Sequence, residues 1–95
     1  MAVVVVRKQG WTVEMVDDVR EEARRHGYDM DPAELDGICL QRERLILVDS
    51  TLRRAHRMEI ILHEIIHAYD ITIPEIRVRL LARTLARALW RLGYR

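Results

Sequence analysis

The sequence predicts a small α+β domain in which three helices pack on one face of a short three-stranded sheet. Three observations predict it. At 95 residues the chain has the size of one domain, spanning 1–95, with no repeat, linker or low-complexity tract. Hydrophobic residues make up 49% and charged residues 33%, the balance of a folded globular chain rather than a disordered one. Hydrophobic patterns of strand and helix period follow one another in the order strand, helix, hairpin, helix, helix.

Ala2 to Arg7 is a β-branched apolar run that reads as a strand buried on both faces. Gln9-Gly10 breaks it. Thr12 then has the position of a helix N-cap, with Trp11 and Val16 spaced for a hydrophobic staple. Val13, Val16, Val19 (or Arg20) and Ala23 recur at helical spacing, and Gly27 after His26 is a helix stop. Tyr28 to Asp36 reads as a loop. Gly37 to Gln41 and Arg44 to Asp49 are two strand-like runs that form a hairpin, Leu45 to Val48 being the better-buried arm. Ser50 or Thr51 can cap a second helix running to about Tyr69. Thr72-Ile73-Pro74-Glu75 opens a third, which Gly93 ends.

Several classes of function are excluded or disfavoured. The longest apolar run, Met1 to Val6, falls far short of the roughly 18 residues of a membrane span, so no membrane role is expected. The chain has no secretory leader pattern, and a soluble, cytoplasmic location is the expectation. Cys39 is the one cysteine, which rules out an internal disulfide framework and an all-cysteine zinc site; it reads as a small buried hydrophobe. Net charge is +1 but unevenly spread: residues 1–36 carry five basic and nine acidic groups, whereas residues 71–95 carry six arginines against Glu75 alone.

The chemistry is concentrated in the second helix, which contains His63-Glu64-Ile65-Ile66-His67, an HExxH pattern. Residues i and i+4 lie on one helix face about 6 Å apart along the axis, so both imidazoles can reach one metal ion. Glu64 lies about 100° further around, beside the ion rather than on it, placed to take a proton from water at the metal. Two histidines plus a carboxylate, with a fourth position open, is the catalytic arrangement for zinc, one ion per chain. With four His and eight Glu in the chain, roughly 0.01 such pentapeptides are expected by chance. Ile60, Ile61, Leu62, Ile65 and Ile66 surround the motif, and polar groups in so apolar a helix cost several kcal/mol unless satisfied. The bland alternative is a pair of hydrogen-bonded core histidines.

The third ligand has two candidates. Asp70 lies three residues beyond His67 on the same face, one turn further along. Glu75 lies eight residues beyond His67, and a chain reversal over 70–73 would fold the third helix back and aim Glu75 at the zinc. Thr72-x-x-Glu75 is also a capping-box pattern, which alone would explain a glutamate there.

HEIIHAYD, followed by a short turn and PEIRVRLLARTL, resembles the small HExxH metallopeptidase-like proteins of phages and prophages, relatives of the gluzincins. The preceding ICLQRERLILVDS fits as the strand pair leading into the active-site helix, so the resemblance covers roughly residues 37–92. It implies a minimal zincin-like domain and zinc-dependent hydrolysis of a peptide or protein substrate. It also implies His63, His67 and Glu75 as metal ligands, Glu64 as general base, and Asp70 as a carboxylate supporting the ligands. Tyr69 and His56 are the candidates for stabilising an oxyanion. His56, seven residues before His63, reads otherwise as a surface histidine. His26 suits the C-terminal end of the first helix and takes no part in chemistry.

A rival class rests on the third helix. Arg79, Arg83, Arg87, Arg91 and Arg95 recur every four residues, beside an apolar stripe of Val78, Leu81, Leu85, Leu89 (or Ala88) and Leu92 suited to core packing. Such a stripe can track phosphates, making the chain a metal-stabilised binding module that meets nucleic acid or a protein. Without an aromatic platform or a DNA-binding motif, a solvated helix face is the favoured reading.

Overall fold

The computed structural model describes residues 1–29 and 35–95. Its elements follow in the order β1 (Ala2–Val6), β2 (Gln9–Val16), α1 (Val19–Arg25), β3 (Gly37–Leu40), β4 (Leu45–Asp49), α2 (Arg54–Tyr69) and α3 (Glu75–Arg91). They make an α+β fold around a mixed four-stranded sheet of order β1-β2-β4-β3. β1 and β2 are antiparallel, β2 and β4 parallel, and β3 and β4 antiparallel. Part of the expected 28–36 loop, residues 30–34, lies outside the described residues.

The sheet has four strands and not three because residues 9–16 extend β1 into a hairpin instead of starting a helix. Trp11 and Val13 are buried while Thr12 between them and Glu14 after them are only half-buried, a period of two. The helical spacing of Val13, Val16, Val19 and Ala23 spans the boundary between β2 and α1. Thr12 is therefore no helix cap: its N–H donates to the Arg44 carbonyl at 2.9 Å. Asp18 caps α1, its carboxylate accepting the Glu21 N–H at 3.0 Å. Nor does Gln9-Gly10 break the strand; the turn is Arg7-Lys8, both in the left-handed region with φ of 50° and 67°. β1 is an edge strand with an open face, Val3 and Val5 being 69% and 75% exposed, so the expected burial on both faces is absent.

The helices flank both faces of the sheet, not one. β4 lies inside the sheet and Leu45 to Val48 are all buried. Ile46 and Val48 join Val6, Trp11 and Val13 beneath α2, whose Ile60, Ile61, Ile65 and Ala68 cover them. Leu45 and Leu47 join Val19, Ala23 and Leu40 on the α1 side. α2 starts from Arg53 with no side-chain cap. The expected cap residues bond elsewhere, Ser50 donating to Asp17 at 2.8 Å and Thr51 to Asp49 at 2.7 Å.

α3 packs on the far side of α2 and buries Val78, Ala82 and Ala86, a stripe of small residues at i, i+4 and i+8. Leu81, Leu85 and Leu92, expected in the core, are 46%, 44% and 73% exposed, because the small residues bring the two helices together and leave the leucines on the flank. Gly27 and Gly93, at φ of +89° and +93°, end α1 and α3 as the sequence predicts. Among the described residues no helix is long and apolar enough to cross a membrane.

Candidate metal centre

α2 and α3 position the site. The HExxH helix runs along the sheet, with His63 and His67 one turn apart, ring centroids 4.9 Å apart and side chains 15% exposed. The chain then reverses at Asp70, whose N–H ends α2 on the Ile66 carbonyl. Asp70 Oδ1 accepts from the Thr72 hydroxyl at 2.6 Å and the Thr72 N–H at 2.9 Å, and these bonds hold its carboxyl below the usual range. That turn starts α3 directly beside the end of α2.

Glu75 is the first residue of α3, and its carboxylate bridges the two imidazoles. Oε1 lies 2.7 Å from His63 Nε2 and Oε2 lies 2.9 Å from His67 Nε2. The three side chains offer ligand atoms all within 4.8 Å of one another. Asp70 is tied to Thr72 and stands outside this cluster. The capping box does not form either: Pro74 occupies the N-cap position without a side-chain bond, leaving Glu75 free to turn to the histidines.

Glu64, about 100° around the helix from His63, enters the seam between α2 and β3, where its Cγ lies against Gly37. It is 6% exposed, and burial, reinforced by Glu75, pushes its carboxyl up to about 8. The seam closes this tightly because residue 37 is glycine: a Cβ there would stand 2.7 Å from Ile60 Cγ2, 3.1 Å from the Leu47 carbonyl and 3.3 Å from Glu64 Cγ. Two polar contacts lay β3 along α2, His56 Nε2 to Asp36 Oδ2 at 3.0 Å and the Gln41 amide donating to the His67 carbonyl at 3.1 Å. Burial lowers the pKa of His63 against the opposing pull of Glu75, which favours the neutral ring that a metal ligand must be.

The donor set, two imidazole nitrogens and a carboxylate oxygen, is one that zinc takes with a position to spare. Among the described residues the buried Nδ1 of His67 has no partner, where ligating histidines commonly have an acceptor; the Gln41 amide bonds His67 only at its carbonyl. Cys39 faces α2 from β3, and burial, with Glu64 nearby, pushes its thiol up to about 12, which favours the neutral thiol.

The two oxyanion candidates are not brought to the cluster. Tyr69 is 55% exposed and lies under the Arg7 guanidinium, 5.5 Å from its ring centroid, while His56 is paired with Asp36. Sequence reasoning missed Gly37, Gln41 and Asp36. The one available signal was a lone glycine opening a strand, which marks close backbone approach. Comparison with protein-family models, curated proteins and solved structures finds no match to this chain.

Proposed function

We propose that this chain is a zinc-dependent metallopeptidase of minimal, gluzincin-like build. The observation that carries the reading is the Glu75 carboxylate meeting both HExxH imidazoles, with a second, buried glutamate next to them in sequence and on the sheet side of the same helix. A zinc ion held by His63, His67 and Glu75 would supply a Lewis acid for the scissile carbonyl and lower the pKa of water. Glu64 is the general base and then the proton carrier to the leaving amine. Its burial keeps competing water away and raises its basicity relative to an exposed carboxylate. Among the described residues β3 ends the sheet beside α2, so an extended peptide can add to its outer edge and lie over the histidines.

The test is hydrolysis of an unstructured protein by the zinc-loaded chain and by Glu64→Gln. The reading expects activity in the wild type that falls by at least about a hundredfold in Glu64→Gln at unchanged zinc content. Equal activity in both proteins would refute it.

A further inference from the structure

Arg79, Arg83, Arg87 and Arg91 continue along α3 at four-residue steps from Glu75, whereas Arg77 lines the other flank with Leu80, Leu81 and Thr84. Glu75 and Arg79 are one turn apart, and the Arg79 charge acts on the His63 ring. Further along, a groove between α2 and α3 is lined by Ala55, His56, Glu59, Arg87, Trp90 and Arg91. The helices are antiparallel, since Glu75 meets His63 and His67 at one end while Ala86 and Trp90 face Ala55 and Glu59 at the other. β3 follows the opposite side of α2 over the same length, from Asp36 beside His56 to Gln41 beside His67. The flank of α2 that carries His56, His63 and His67 therefore has β3 along one border, through Asp36 and Gln41, and α3 along the other, through Glu75 at one end and Arg87, Trp90 and Arg91 at the other.

We infer that Arg79, Arg83, Arg87 and Arg91 select the substrate: an extended peptide carrying carboxylates at alternate positions. This rests on the peptidase reading. Four residues of helix advance about 6 Å, and two residues of extended chain about 6.6–6.8 Å. Alternate side chains of a strand added to β3 thus meet successive arginines with a mismatch under about 1 Å per step, which long arginine side chains absorb. The arginines are exposed and have no acid interleaved on α3, so their field is not cancelled along the row. Glu59 lines the groove between α2 and α3, and Asp36 is paired with His56. Trp90 and the His56 ring are the aromatic groups lining the groove, too few for a platform of stacked bases, which favours an acidic peptide over a nucleic acid.

The test uses the full chain with zinc and fluorescein-labelled twelve-residue peptides of alternating Glu-Ala, Gln-Ala and Lys-Ala, read by anisotropy. Zinc content and casein hydrolysis are measured on the same preparations. The Glu-Ala peptide is expected to bind at least about tenfold tighter than Gln-Ala, since two or three exposed ion pairs each give about a two- to fivefold gain. The preference should shrink with salt and vanish in the charge-reversed Arg83→Glu/Arg87→Glu protein, whose circular dichroism reports an intact fold. Equal binding of Glu-Ala and Gln-Ala by a zinc-loaded, active chain overturns the inference and leaves the peptidase reading standing. A Glu-Ala preference lost in the double variant, in a chain without zinc or activity, keeps the arginine row as an acidic-peptide site and removes the peptidase reading. Tighter binding of single-stranded DNA than of Glu-Ala, lost in the same variant, overturns the inference in favour of nucleic acid.

Discussion

Replacing Glu64 by glutamine should stabilise the metal-free protein at alkaline pH. In the folded chain burial holds the Glu64 proton up to about 8, against 4.5 for an unperturbed glutamate. Between those values the folded state binds a proton that the unfolded state has released, so stability falls as pH rises through the window. At roughly 1.4 kcal/mol per pH unit, the gap amounts to on the order of 5 kcal/mol lost by pH 9, a large part of a small domain's total stability. Glutamine has the same shape and no charge to bury. His63 runs the other way, its neutral ring being favoured on folding, so its contribution is lost as pH falls below the ordinary histidine range. That term is shared by both proteins and cancels in the difference. Urea unfolding in EDTA at pH 5, 7 and 9, followed by far-ultraviolet circular dichroism, should show the two proteins alike at pH 5. Glu64→Gln should be several kcal/mol more stable at pH 9. Adding zinc should narrow the difference, since a nearby cation favours the carboxylate. A difference constant within about 1 kcal/mol from pH 5 to 9 would refute the burial argument.

Other perturbations bear on the parts that hold the site. Gly37→Ala forces a methyl against Ile60, the Leu47 carbonyl and Glu64, and should cost about 1–3 kcal/mol in urea unfolding. Asp18→Ala removes the cap of α1 and should cost about 1 kcal/mol in the same assay. Asp70→Ala frees the turn that aims α3, and should weaken zinc binding by about 10- to 100-fold in a chelator competition while helix content stays unchanged.

How much of this was legible in the sequence depended on whether the signal was local. The hairpin of β3 and β4, both long helices and the glycine stops were readable because each signal lies within its own element. β2 was not. Val13, Val16, Val19 and Ala23 imitate a helix only because the strand ends and α1 begins between them, and the Arg7-Lys8 turn lacks the Asn-Gly signature that would have revealed the hairpin. Placing α1 and α2 on opposite faces needed the parallel pairing of β2 with β4, a non-local fact. In the cluster, His63 and His67 followed from helical spacing, whereas the choice of Glu75 over Asp70 depended on a turn held by Asp70 and Thr72. The leucines of α3 misled because hydrophobicity alone ranks them above alanine, while close helix approach selects the small residues Ala82 and Ala86.

The central claim is that His63, His67 and Glu75 hold one zinc ion, and elemental analysis of the purified protein tests it most directly. The account predicts about one zinc per chain, lost in His63→Ala and His67→Ala, reduced in Glu75→Gln and kept in Glu64→Gln. No zinc after supplementation in a chain with unchanged circular dichroism, or full zinc in His63→Ala, would contradict it.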